Sequence, residues 1–393
     1  MKTPQKSAAT VMAFLFAVIS APAFAEDDGD GKLLLQINEN RGSWSANSSP
    51  KKEGGQNYLY FSAGYYTPNY GITALGAHGD TAYRYNSPSK DDFSLAAFTD
   101  STVSLYYLPA PVAGANIRLG ADFNIPTGHS RFSSRELASL MIDNVSKELN
   151  LLSSYGKGFN IAPNVALSVP YAKGSFGLGV RYELTGEYDP TSDVADDSYN
   201  PGNILMIFAS MQYNFTEAKS LYLDVSTTMV GKDTQGGAEV FKQGNAYSLT
   251  ARYVTLEEQN RVTYGLTYGW QENNQMYGAG GLTTEDRNTN NNYYDLFINT
   301  AHHVDSSLAL NGIAGYKSVK PNGYDEANAL YDGGFGKIYF GGGATSYFSK
   351  RLYGTLDLRF FQIWNANDAL EPGGAVYRGF NIDIGVVYSF GGA

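Results

Sequence analysis

From residue 57 onward, apolar and polar residues take turns at period two, stretch after stretch. No other feature constrains the fold as much. Period two gives each face of a β-strand its own residue class and leaves a helix with no coherent face. In 377–390, Phe380, Ile382, Ile384, Val386, Tyr388 and Phe390 share one side, and Asn381, Asp383, Gly385 and Ser389 share the other. In 351–364, Leu352, Leu356, Leu358, Phe360 and Trp364 oppose Thr355, Asp357 and Arg359. In 260–270, Val262, Tyr264, Leu266, Tyr268 and Trp270 oppose Arg261, Thr263 and Thr267. The same split recurs in 115–124, 221–230 and 247–254. With 57–66, 92–108, 113–124, 159–168, 175–187, 203–215, 219–230, 246–256, 292–303, 307–317 and 334–348, the coarse strand list reaches about 14, although in 203–215 both faces are apolar in the first half.

The connections alternate as well. Long gaps at 67–91, 125–158, 188–202, 231–245, 271–291, 318–333 and 365–376 interleave with short ones at 109–112, 169–174, 216–218, 257–259, 304–306 and 349–350. Short turns on one rim and long loops on the other are the habit of outer-membrane barrels. A soluble sandwich alternates too. Here, however, aromatics gather near strand ends, at Tyr253, Tyr268, Trp270, Trp364, Tyr388 and Phe390, as interfacial girdles do. A backbone in hydrocarbon must satisfy every N–H and C=O internally, so strands there must close on themselves. The expected fold class is therefore all-β: a transmembrane antiparallel β-barrel of about 14 strands with both termini periplasmic. Its lumen is expected to be lined by Arg118, Asp122, Arg181, Glu183, Asp224, Arg252, Asp357, Arg359 and Asp383.

Composition removes competing classes. The chain has no Cys, so disulfide scaffolds and thiolate metal sites are excluded. A net charge of −10 argues against a nucleic-acid partner. Past the first 25 residues nothing is long and apolar enough for a spanning helix. Lys2 and Lys6, the apolar run 11–21 and Ala23-Phe24-Ala25 read as a cleavable signal peptide over 1–25. Export without cysteines fits the outer membrane of a Gram-negative bacterium. Residues 26–56 are polar apart from Leu33, Leu34, Leu35 and Ile37, and read as an N-terminal segment, either a lumen plug or a periplasmic tail. Residues 57–393 are the barrel.

One stretch breaks the β pattern. Leu137, Leu140, Met141, Val145, Leu149 and Leu152 recur at helical spacing, and Ser133 with Glu136 fits a capping box. This predicts an amphipathic helix over 133–152 in an outer loop. Its apolar face either caps the barrel mouth or walls a capture site for a hydrophobic ligand. In 203–215, Met206 and Phe208 turn inward beside Ile204. The ligand-binding candidates are Leu137, Leu140, Met141, Val145, Leu149, Met206 and Phe208.

Catalysis has little to work with. The densest constellation, His302, His303, Asp305 and Ser306, sits on a short turn with its histidines on opposite faces. Asp189, Asp193, Asp196 and Asp197, near Asn200, lack EF-hand spacing and read as a solvated acidic loop. No catalytic residue, metal or cofactor is expected.

Three segments carry a resemblance: Asn124-Ile125-Pro126-Thr127-Gly128, then Asn160-Ile161-Ala162-Pro163-Asn164-Val165-Ala166-Leu167, then Gly174-Ser175-Phe176-Gly177-Leu178-Gly179-Val180-Arg181. Their order over about 115–185 resembles the long-chain fatty-acid transporter family and related barrels of aromatic-degradation pathways. The resemblance implies passive passage of small hydrophobic compounds, captured among outer loops and gated by an N-terminal plug. The family's Asn-Pro-Ala-type plug motif is not matched by Glu26-Asp27-Asp28-Gly29. Alternatives are a general or selective polar porin, and a structural barrel acting as a sleeve for a partner protein. The expected partners are outer-membrane lipid and lipopolysaccharide, a small hydrophobic ligand and the outer-membrane assembly machinery.

Overall fold

The described residues of the computed structural model are 31–48, 51–86, 91–140, 145–150, 152, 155–194, 198–278, 280–367 and 373–390. Their strands, in chain order, are β1 (Lys32–Asn47), β2 (Lys51–Tyr66), β3 (Tyr70–Asn86), β4 (Asp91–Phe98), β5 (Ser101–Tyr107), β6 (Asn116–Ile125), β7 (Asn160–Tyr171), β8 (Gly174–Glu183), β9 (Tyr199–Asn200), β10 (Ile204–Thr216) and β11 (Lys219–Val230). They continue with β12 (Lys232–Gln235), β13 (Ala238–Lys242), β14 (Ala246–Glu257), β15 (Asn260–Gln271), β16 (Gln275–Gly278), β17 (Gly281–Thr284), β18 (Tyr293–His303), β19 (Leu308–Val319), β20 (Phe335–Ser349), β21 (Leu352–Asn365) and β22 (Ala375–Phe390). Two short helices, α1 (Ser134–Leu140) and α2 (Ser146–Leu149), lie between β6 and β7.

Seventeen of these strands form one antiparallel sheet, and β9, β12, β13, β16 and β17 form a small second sheet from the long loops. Both β4 and β5 pair with β3, as two halves of one stave broken at Thr99 and Asp100. The large sheet thus has 16 staves. It closes where β1 pairs with β22, from Leu33↔Phe390 to Asn47↔Val376. Closure pairs the first stave with the last, so neither presents an edge to lipid.

The count exceeds the expected 14 by two staves, β1 and β3. Residues 32–47, read above as part of a plug or tail, are instead the closing stave, paired on both sides. Tyr70–Asn86 turns most of the expected long gap 67–91 into strand. Two added staves preserve parity, so the start of β1 at Lys32 and the end of β22 at Phe390 both lie at the short-turn rim.

The outward face is apolar. Leu35, Ile37, Leu105, Leu178, Leu266, Phe340, Leu356 and Ile384 are all exposed on it. Aromatic rows flank this band: Tyr65, Tyr70, Tyr107, Tyr171, Phe215 and Phe390 at the short-turn rim, and Tyr182, Tyr268, Trp270, Tyr316 and Trp364 at the loop rim. Along β22 the apolar outward residues run from Phe380 to Phe390. That is about 33 Å of strand, or about 25 Å of height at a tilt of roughly 40°, the thickness of an outer-membrane hydrocarbon band.

One side of the barrel is taller. The staves β20–β22 and β1–β3 are 14–17 residues long, against 10–13 for β6–β8, β10, β11, β14, β15, β18 and β19. Above the band, their outer face becomes polar: Glu39 and Arg41 sit on β1, Arg378 bonds Gln362 at 2.8 Å, and Arg84 pairs with Asp92 at 2.8 Å. The inner face of this tall wall is where the 126–159 loop docks.

Candidate functional site

The loop between β6 and β7 enters the barrel, and a single buried carboxylate ties down both of its ends. Asp100 Oδ1 accepts from the Gly128 N–H at 3.0 Å, and its Oδ2 accepts from Asn124 Nδ2 at 2.6 Å and the Lys157 N–H at 2.7 Å. Gly128 is required here: a Cβ would lie 2.2 Å from the Tyr155 carbonyl oxygen. Beyond the turn, Ser133 and Glu136 form the reciprocal pair their spacing predicts, with Ser133 N–H to Glu136 Oε2 at 2.7 Å and Glu136 N–H to Ser133 Oγ at 3.3 Å. The Ser133 N–H holds the Glu136 carboxyl below the usual carboxylate range. Asp193 accepts from the Ser134 N–H at 2.8 Å and Asp189 pairs with Arg131 at 3.6 Å, so these two acids brace the loop. Asp196 and Asp197 lie outside the described residues.

The single helix expected over 133–152 is two short ones. Asn150 Nδ2 donates to the Leu140 carbonyl at 3.3 Å. In one straight helix those residues would sit about 15 Å apart along the axis, so the chain has doubled back. The reason is that the apolar residues serve two surfaces. Leu137, Leu140 and Leu152 pack on a cluster of Leu95, Phe132 and Tyr155. Val145 and Leu149 are buried in another, with Trp44, Tyr83, Phe335, Phe361, Ile363 and Tyr377 of the tall wall. Met141 lies outside the described residues.

Polar bonds fix the insert to the lumen face. Gln56 accepts from the Leu152 N–H and donates to the Leu152 carbonyl, both at 2.6 Å, and Thr81 meets the Tyr155 hydroxyl at 3.0 Å. Arg135 donates to the Asp92 carbonyl at 3.0 Å, at the edge of β4 that pairs with no strand among the described residues. Glu148 bridges two lysines of the wall: Oε1 contacts Lys317 Nζ, and Oε2 lies 2.8 Å from Lys337 Nζ. Burial alone would raise the Glu148 pKa, but Lys337 and Lys317 overcome it and hold the group at about 2.

Away from the insert, the inward register carries the charged residues named from the sequence. Arg181 lies 3.2 Å from Asp122 and 2.6 Å from Glu183, and Arg252 lies 2.7 Å from Asp224. Arg118 stands over the Tyr106 ring at 4.9 Å. Asp383 accepts from Asn38 at 3.4 Å and Asn40 at 3.2 Å, and faces Asp357 across the β21–β22 ladder, with Arg359 two residues along on the same side. Met206 pairs in register with Arg181, and Phe208 with Gly179, so both side chains face inward. A Cβ on Gly179 would meet the Phe208 ring at 2.0 Å, and only glycine lets that ring lie flat on the wall. Met206 and Phe208 belong to neither the cluster that Leu137 and Leu140 pack on nor the one that buries Val145 and Leu149, so the six described ligand candidates fall in three separate places.

Sequence reasoning missed Glu148, Lys317, Lys337, Asp100 and Gln56. Alternation within 307–317 puts Lys317 on the inward face, but nothing local announces partners 169 and 189 positions away. The His302 constellation does not assemble. His302 Nδ1 contacts Asn260 at 2.8 Å, while Asp305 accepts from Ser307 and Leu308 within its own turn.

No protein-family model matches the chain, and no curated protein matches it. Among solved structures the chain is similar to the P. putida toluene transporter TodX, at 12% identity, covering 94% of this chain and 92% of that one, with a TM-score of 0.42. It is similar to a Pseudomonas aeruginosa FadL homologue, at 8% identity, 91% and 90% coverage and a TM-score of 0.40. It is also similar to an anion-selective porin from Comamonas acidovorans, at 14% identity, 92% and 100% coverage and a TM-score of 0.37.

Proposed function

We propose that this chain is a passive channel in the outer membrane of a Gram-negative bacterium, with both termini periplasmic and its pore narrowed by the inward-folded 126–159 loop. The observation that carries this reading is the docked insert inside a closed barrel of 16 staves. Barrels of this size enclose an aqueous channel unless something fills it. Away from the insert the lumen carries paired charges and amides, among them Arg181 with Asp122, Arg252 with Asp224 and Asn40 with Asp383, which suit small polar solutes. Among the described apolar residues of the insert, Val145 and Leu149 are buried against the wall, which leaves those two little surface for a ligand, while Leu137, Leu140 and Leu152 are half-buried.

A hydrophobic cargo, the reading implied by the family resemblance, is favoured by one feature: the inward run of Ile204, Met206 and Phe208 on β10. The two readings separate in a liposome-swelling assay with purified protein. The polar reading expects swelling with small sugars and amino acids that falls off with solute size. No swelling with any polar solute, together with accelerated transfer of an alkane or aromatic, would support the hydrophobic reading instead.

A further inference from the structure

Lys317 and Lys337 stand directly opposite one another on the β19–β20 ladder, both facing the lumen. Like charges in that relationship repel, and an anion between them relieves the repulsion. The wall prepares both lysines without help from the loop. Lys317 Nζ lies 5.0 Å from the Tyr293 ring centre and Lys337 Nζ 5.2 Å from that of Phe361, so aromatic faces support the charge. Asp295, opposite Lys317 on β18, accepts from the Tyr339 hydroxyl at 2.8 Å and offsets one of the two charges. Lys317, Lys337 and Asp295 together carry one positive unit, which one further carboxylate offsets; Lys147, beside Glu148 on the loop, adds a positive charge that interacts with Lys317 and Glu148.

In this structure that carboxylate is Glu148. It is carried on a four-residue helix, each of its oxygens serves one lysine, and its side chain is only 14% exposed. The anion receptor thus belongs to the rigid barrel, and the anion to the inserted loop. We propose that Lys317 and Lys337 form a carboxylate-binding site on the lumen wall, filled by Glu148 in the docked state and taken over by a small organic carboxylate in transit. This deepens the channel reading and rests on it for the solute's access to the lumen. The binding site itself can be measured without conduction, by titration of the protein in detergent.

The test is calorimetric titration of succinate, neutral succinamide and inorganic phosphate into the full chain in detergent. Glu148→Ala vacates the site, and Glu148→Gln neutralises the occupant while keeping its shape. A tethered carboxylate competes at an effective concentration near the millimolar range. Both variants should therefore bind succinate roughly tenfold or more tighter than the native chain, and bind succinamide no better. Adding Lys317→Gln and Lys337→Gln to Glu148→Ala should abolish succinate binding. Native-level affinity in both Glu148 variants, or binding that survives loss of both lysines, overturns the proposal. Phosphate binding as tight as succinate overturns the carboxylate assignment. Loss of solute permeation in liposomes with succinate binding intact would instead count against the channel reading.

Discussion

Glu148 Oε2 lies 2.8 Å from Lys337 Nζ although 189 positions separate the two residues. The contact ties a loop leaving the fifth of the 16 staves to the fourteenth, on the far side of the closure. It also makes the docked state pH-dependent in a definite direction. Glu148 has a lowered pKa, so its contribution is fully present above the ordinary carboxylate value of 4.5 and is lost as pH falls to about 2. The shift corresponds to about 3 kcal/mol. Trp44 shares the buried cluster with Val145 and Leu149, and its emission reports docking. With Trp270 and Trp364 replaced by Phe, that emission should be constant from pH 7 to 5 and move to the red between pH 4.5 and 2. A Glu148→Gln variant should show no such step.

Asp100 is a different kind of fastener. It is 7% exposed and accepts three hydrogen bonds, from β6 and from both ends of the loop. Asp100→Ala leaves those donors without their acceptor, at a cost on the order of 3 kcal/mol to the loop base. Limited proteolysis in detergent should cut within 126–159 much faster than in the native chain while the barrel stays intact. A cleavage rate unchanged from native would mean the carboxylate does not hold the loop.

Leu266 is outward on β15, midway along the apolar band, and 42% exposed. If that surface meets acyl chains, Leu266→Arg should cost roughly 2–4 kcal/mol of folding stability in bilayers. Thr267→Arg, on the opposite face of the same strand, should cost far less. Urea titration into lipid vesicles measures both. Equal costs would place the two faces in similar solvents.

Much of this was readable in the residues, and the misses have physical causes. The 219–230 and 260–270 strands carry clean alternation, and β11 (Lys219–Val230) and β15 (Asn260–Gln271) match them to within a residue. β1 is hidden because it rises out of the apolar band. Its outward face is Leu35 and Ile37 below but Glu39, Arg41, Ser43 and Ser45 above, while Trp44 points inward. A strand whose faces exchange polarity halfway has no single period-two signal. β3 is hidden by its small residues, among them Gly71, Ala74, Gly76, Ala77, Gly79 and Ala82, which carry little hydropathy contrast. The capping box at Ser133 was legible because both partners are local. The fold-back at Asn150 and the bridge at Glu148 were not, since each depends on where a distant stave stands.

The central claim, a lumen narrowed by a docked loop, is tested most directly by single-channel conductance in planar bilayers. Native protein should be compared with a variant in which a short Gly-Ser linker replaces residues 133–154. The account predicts a steady current for native protein and a several-fold larger one for the variant, with the barrel still resisting SDS until heated. Equal currents from the two proteins would show that the insert does not obstruct the pore, and would contradict the account.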